Sequence, residues 1–420
     1  MIDFSLSNDQ NEELARVELL ARSLMRPLAR EFDEKEHQKP WDFIRLTWEQ
    51  TKKQAAANLR ADREPAEGGS TASGKPATRF VTACHITEML SWGDAGLYLV
   101  IPGPGLGGTA IETMGTLEQK ERFLTRFSEG EPKWGAMSIT EAHAGSDTAA
   151  IRTTARLDSK TREWVLNGEK IFVTRGQMAA RDSDGLVVVW ATVDATAGRA
   201  GIKSFVVESK TPGMTVSKVE KKLGIRASDT ASLTFEDCRI PYDNILGSPE
   251  VVDVKERNVS EAYKGVLKTF DASRPSVAAS ALGIGRAALE LTRETLAESG
   301  IEVRYGLPRH RLTAVERDLL DMEAQLKAAW LLTLRAAWMA DQGIPNPAEA
   351  SMAKVKAGKA VTVVTQKAVE LLGPLGYSCK LLAEKWMRDA KINDLFEGTG
   401  QINTLIVARR ILGYDRTQLK

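Results

Sequence analysis

Cysteine and histidine are both scarce: the chain has 3 Cys, at 84, 238 and 379, and 4 His among 420 residues. The cysteines are far apart and show no CxxC spacing. That argues against a disulfide framework or a thiolate metal site, and suits a reducing compartment. The histidines form no metal-ligand pattern, so no metal is expected. An excess of one charge is also missing. The formal net charge is +1, which gives no reason to expect nucleic acid or an acidic membrane as the main partner. No apolar run approaches the ~18 residues that span a membrane. The start, Met1-Ile-Asp-Phe-Ser-Leu-Ser7, is acidic and has neither a signal-peptide nor a transit-peptide pattern. A cytoplasmic protein is the expectation. Internal repeats and low-complexity tracts are lacking too.

What is present is enough chain for two or three domains. Ser7-Asn-Asp-Gln10 is a capping-box pattern, and Leu14, Val17, Leu20 and Leu24 follow with helical spacing. Arg63 to Pro76 is rich in Gly, Ser and Pro and reads as a surface loop. Helical patterns resume near Phe80 and from Thr116 to Phe127. The period then changes. Asn167-Gly168 lies between apolar runs, a hairpin signal. Strands are expected over Leu186–Val193, Lys203–Glu208, Met214–Val219 and Ala231–Phe235. From about 256 the chain reads helical again, with a helix start at Asn346-Pro347-Ala348-Glu349. Ala278, Ala279, Ser280, Ala281 and Gly283 would let helices approach closely. The expected order is a helical domain over 1–132, a β domain over 133–245 and a helical domain over 246–420.

Gly103-Pro-Gly105-Leu-Gly107-Gly108 formally fits GxGxxG. Helical patterns rather than a second strand follow it, so a Rossmann unit is rejected in favour of a bend between helices. Two segments carry more. Trp134 to Asp147 sets hydroxyls, glycines and an acid in a loop before the β domain. Such a loop can offer amides to a polar cofactor, or can be a domain-boundary turn. In Leu395-Phe396-Glu397-Gly398-Thr399, a carboxylate sits at a break before a helix. Burial would raise its pKa and make it a better base; exposure would leave it a surface carboxylate at a helix N-terminus.

Both segments resemble the signature motifs of the FAD-dependent acyl-CoA dehydrogenase family. Further segments match in order: Gly115 to Phe123, Leu223 to Thr230 with Phe235 to Pro241, and Phe270-Asp271-Ala-Ser-Arg274. The resemblance implies an α+β fold: an N-terminal helical domain, a small β-barrel or sandwich, and a C-terminal four-helix bundle. It implies FAD as cofactor, with Met137, Ile139, Thr140 and Ser146 in the flavin loop. Phe172-Val173-Thr174 would back the flavin, with Thr174 near N5, and Thr399 and Gln401 would contact FAD. Ser146, Phe270, Asp271, Arg274 and Gly398 would meet the CoA thioester substrate. Glu397 would take the α proton while the β hydrogen leaves as hydride to flavin N5, giving a trans-2-enoyl-CoA. Some relatives carry the base on the helix of Arg274, at the position of Ser273; serine cannot serve, which leaves Glu397.

An electron-transferring flavoprotein is the implied electron acceptor and a homotetramer the implied assembly. An acyl-CoA oxidase or a flavin monooxygenase on the same fold competes with this reading, though most such monooxygenases lack the Glu397 equivalent. A half-active partner subunit in a mixed oligomer is the reading from another class. In family tetramers, an Arg before a Phe-Gly pair and a Gln before a Gly-Gly pair reach across to the FAD of a neighbour. Here Glu302 and Glu370 stand at those places, Tyr305-Gly306 matches the first pair, and Gly373-Pro374 replaces the second. Arg304 or Arg309 could compensate. Chain length, branching and ring content of the acyl group depend on the pocket around residues 90–110 and are not legible.

Overall fold

The computed structural model describes residues 4–63, 78–248 and 261–414. Six helices come first: α1 (Asn8–Leu20), α2 (Arg26–Glu34), α3 (Trp41–Arg63), α4 (Arg79–Val100), α5 (Gly105–Met114) and α6 (Leu117–Leu124). Ser7 and Gln10 form the expected capping box on α1, and Thr116 and Gln119 form another on α6. The expected Arg63–Pro76 loop begins inside α3, and its remainder lies outside the described residues. Gly103-Pro104 is the bend between α4 and α5, as the rejection of a Rossmann turn required.

Seven strands form one curled sheet: β1 (Gly135–Ser138), β2 (Thr154–Asp158), β3 (Glu163–Thr174), β4 (Leu186–Thr192), β5 (Ile202–Glu208), β6 (Met214–Val219) and β7 (Thr230–Pro241). β1 and β2 run parallel to β4, β5 runs antiparallel to it, and the order continues β2–β3–β7–β6. β4 is apolar and buried from Leu186 to Ala191, as suits a strand covered on both faces. Two readings are corrected here. Asn167-Gly168 is not a hairpin turn but lies inside β3, where the ladder to β7 shifts. Asn167 Oδ1 accepts the Asp237 N–H at 2.8 Å, and a Cβ on Gly168 would lie 2.7 Å from the Thr153 Cα. The glycine serves a bulge and a close crossing rather than a turn. The segment from Trp134 is also not all loop, because its first part is β1.

The second helical part contains α7 (Glu261–Ala297), α8 (Ala314–Asp341), α9 (Pro347–Leu372), α10 (Pro374–Tyr377), α11 (Ala383–Ala390) and α12 (Gly400–Leu412). Residues 249–260, within which the expected start near 256 falls, lie outside the described residues. Asn346 precedes α9 without capping it: its side chain donates to the Ala336 carbonyl at 2.7 Å instead. α9 packs against α7, α8 and α12, and α7 packs against α4. The small residues of α7 explain that approach, since a Cβ on Gly283 would lie 2.1 Å from the Glu88 carbonyl oxygen. Among the described residues, no helix is long and apolar enough to cross a membrane, and no group of His, Cys, Asp or Glu is arranged to hold a metal.

Candidate active site

A cavity of about 1280 Å³ opens where α4, α5, the sheet, α7 and the start of α12 converge. Its wall brings together Met137, Ile139, Thr140, Ser146, Phe172, Thr174, Arg274, Glu397, Gly398 and Thr399. Val173 instead faces the core, Gln401 is exposed on the first turn of α12, and Asp271 lies off the wall, paired with Arg274. The Phe270 side chain is outside the described residues.

Glu397 is held at φ 57°, in the left-handed region that a non-glycine residue seldom occupies, and Gly398 follows at φ 83°. Such strain persists only where surrounding contacts fix it. The Gly398 carbonyl accepts from Lys354 Nζ at 2.5 Å and Asn403 Nδ2 at 2.8 Å, and Thr399 Oγ1 accepts the Ile402 N–H at 3.3 Å as the cap of α12. This clamp aims Glu397 into the cavity. Burial pushes its carboxyl above the usual range. The Ser273 hydroxyl, which donates to Glu397 Oε2 at 2.7 Å, opposes that rise, as do the nearby Arg274 and Lys354 charges. Burial brings Lys354 itself down to about 8. Sequence reasoning ruled Ser273 out as a base; it did not foresee that Ser273 would touch Glu397 from 124 residues away.

The loop after β1 is held from behind by a buried ion pair that the sequence reading missed. Lys170 Nζ donates to the Ile139 carbonyl at 3.1 Å and to Glu141 Oε1 at 2.7 Å. Glu141 also accepts the Arg152 N–H at 2.7 Å, the Thr153 N–H at 2.9 Å and the Thr153 hydroxyl at 2.7 Å. Burial acts to raise Glu141, but these donors prevail and hold it down at about 2. The Ile171 N–H donates to the Thr140 carbonyl at 2.9 Å. The backbone of Ile139 and Thr140 is therefore fixed against β3. The only hint in the sequence was an unassigned Glu141 inside the motif.

Family models of the acyl-CoA dehydrogenase N-terminal, middle and C-terminal domains match residues 7–131, 136–238 and 263–412. The chain belongs to the acyl-CoA dehydrogenase family. It is 34% identical over 418 residues to acryloyl-CoA reductase (NADH) of Anaerotignum propionicum, covering 98% of this chain and 96% of that one. It is 39% identical over 329 residues to the mitochondrial short-chain specific acyl-CoA dehydrogenase of Bos taurus, covering 78% and 73%. The solved structure of butyryl-CoA dehydrogenase from Megasphaera elsdenii superposes with a TM-score of 0.79 at 30% identity, covering 98% of this chain and all of that one. This acyl-CoA dehydrogenase is thus an FAD-dependent oxidoreductase acting on acyl-CoA.

The wall fits that cofactor. Phe172, at φ 56° where the β3 ladder shifts, keeps 61% of its surface exposed on the cavity wall, an aromatic plate with no ring stacked on it among the described residues. Gly145 and Ser146 border the same space, and a Cβ on Gly145 would meet nothing within 4 Å. The two arginines expected to compensate for Glu302 are already engaged. Arg304 grips Glu316 through Nε and Nη2, both at 2.8 Å, and Arg309 grips Asp321 at 2.8 and 2.6 Å. Glu370 is paired with Lys367 at 2.9 Å.

Proposed function

We propose that this acyl-CoA dehydrogenase forms a trans-2-enoyl-CoA from a saturated acyl-CoA, with Glu397 as the base for the α proton. The observation that carries the reading is a strained, clamped carboxylate with a raised pKa facing a cavity lined by the family's flavin-loop residues. A base poised closer to neutral pH is better matched to a weakly acidic α C–H than an ordinary carboxylate. The Glu397 N–H has no hydrogen-bond partner among the described residues, so it is available to a thioester oxygen as enolate charge develops. Ile139, Thr140, Ser146, Phe172, Thr174 and Thr399 would hold FAD, with Arg274 and Gly398 beside the thioester. FAD, when bound, supplies the acceptor for the β hydrogen and its electron pair. Glu397 keeps the α proton, and the Cα–Cβ double bond forms from the electrons left behind. The similarity to acryloyl-CoA reductase favours a second reading, the reverse direction, in which Glu397 returns that proton to an enoyl thioester.

The test is a purified, yellow protein mixed anaerobically with a panel of acyl-CoA thioesters. Rapid bleaching with at least one of them is expected; an unchanged spectrum across the panel would overturn the reading. We further infer an electron-transferring flavoprotein as acceptor, so turnover in air without it should be slow. Fast turnover with stoichiometric peroxide would make the protein an oxidase. The assembly we favour is a homotetramer with a rearranged interface loop around Glu302 and Pro374. Isolated chain that stays a tetramer with one FAD each would support it, and flavin-poor chain would point to a partner subunit.

Ser273→Ala should move the basic group's limb in the kcat/KM–pH profile to higher pH. The hydroxyl donates to the charged form of Glu397 and so lowers its pKa; without it, a higher pH is needed to ionise the base. A limb that stays put or moves down would contradict the assignment.

A further inference from the structure

The cavity wall carries a cation that makes no ion pair among the described residues. Arg175 follows Thr174 at the end of β3, with φ 61°, and its side chain leans across to α4 and α5. Nε donates to the Leu99 carbonyl at 2.7 Å, which satisfies one orphan acceptor in the last turn of α4. That contact accounts for one donor. The terminal nitrogens have no protein acceptor among the described residues, and the group borders the cavity beside Tyr98, Leu99, Gly105 and Leu106.

Space has been made for it. Gly105 sits at φ 51°, and a Cβ there would lie 2.9 Å from Arg175 Nη1. The nearest candidate carboxylate is occupied elsewhere: Asp229 meets Lys39 Nζ at 3.3 Å and the Gln177 N–H at 2.8 Å. The other guanidinium groups on the wall differ, since Arg79 faces Glu112 at 3.6 Å and Arg274 faces Asp271 at 2.8 Å. Arg175 is half-buried, and holding a partly desolvated guanidinium without an anion is costly while it remains charged. Its planar fork matches a carboxylate, which it can bind through two parallel hydrogen bonds. Burial presses its pKa down, as expected of a cation awaiting a partner.

We propose that the preferred substrate is an acyl-CoA whose chain ends in a carboxylate, seated on Arg175 while the thioester end lies at Glu397. The inference rests on the dehydrogenation reading above and names its substrate class. Arg175 acts there as a specificity residue, not a catalytic one. The phenol of Tyr98 lies within electrostatic range of Arg175 and is a second donor for the same group.

The experiment compares mono-CoA thioesters of linear dicarboxylic acids with monocarboxylic acyl-CoAs of equal length. It uses the FAD-loaded enzyme and its Arg175→Met and Arg175→Lys variants. In the native enzyme, one carboxylate-ended chain should exceed its neutral counterpart in kcat/KM by at least ~10-fold, as expected for a charged hydrogen bond. In Arg175→Met that ratio should fall by ~10–100-fold, with Arg175→Lys in between. Calorimetric binding of the corresponding enoyl products should change in the same order, independently of turnover. Native enzyme that prefers the neutral chains at every length would overturn the proposal while leaving the dehydrogenation reading intact. An unchanged ratio in Arg175→Met would overturn it too. Failure of every thioester to bleach the flavin would instead sink the reading beneath it.

Discussion

Glu397→Gln will abolish dehydrogenation while leaving the fold and the bound FAD in place. Gln is close to isosteric and still offers an oxygen to the Ser273 hydroxyl, so the contact at 2.7 Å need not be lost. It cannot accept the α proton. Loss of a positioned base removes ~10²–10⁴-fold of rate, and among the described residues no other carboxylate is in a position to substitute. Among the described residues of the wall, Glu112 alone shares the chemistry, and it faces Arg79. Folding should not suffer. The Glu397 pKa is raised in the fold, so the ionised carboxylate costs stability above that pKa, and a neutral amide removes the cost. The decisive measurement is anaerobic flavin bleaching by the best thioester of the panel. Bleaching at the native rate in the Gln variant would show that another group takes the proton.

How much of this was legible depended on whether the signal was local. The break Phe396-Glu397-Gly398-Thr399 carries its own grammar, a carboxylate, a glycine and a cap ahead of an apolar helix, and the structure has that cap. The capping box at Ser7 was local too. Asn167-Gly168 misled because Asn-Gly suits a turn as well as a bulge. The choice was made by Thr153, which crosses Gly168, and by Asp237, whose amide Asn167 accepts. Neither neighbour is close in sequence. The Ser273–Glu397 contact and the Lys170–Glu141 pair are likewise products of the tertiary fold. Arg175 left no trace in the sequence at all. A lone Arg after a threonine fits a surface position, and only the backbone of α4 and α5 shows that it borders the cavity.

Lys385→Met should destabilise the protein by about 3–5 kcal/mol, the usual consequence of stripping one partner from a buried ion network. Lys385 is 2% exposed on α11, between Asp389, with its Oδ2 at 2.5 Å, and Asp94 of α4. Burial alone would drive the ammonium pKa down, but the two carboxylates outweigh it and hold it above its ordinary value. The other oxygens are committed: Asp389 Oδ1 accepts the Ile225 N–H at 2.6 Å and Asp94 Oδ1 the Leu97 N–H at 2.8 Å. One cation thus ties the first helical part, the sheet's β6–β7 connection and the second helical part together. Without it two buried carboxylates lose the cation that pairs with both of them directly, and Arg26 near Asp94 and Lys222 near Asp389 act on them without an ion-pair contact. Burial already pushes Asp94 up, and losing Lys385 leaves the Leu97 N–H to oppose that push without the cation. A carboxylate with a raised folded pKa weakens the fold once pH exceeds its unfolded value. The deficit should therefore grow from acid towards neutral pH. Ala95, next to Asp94, and Ile225 both line the cavity, so activity should fall with stability. Urea unfolding of native and variant protein at mildly acid and neutral pH reads both effects. A loss below ~1 kcal/mol at neutral pH, the scale of an exposed pair, would mean that the fold does not depend on this junction.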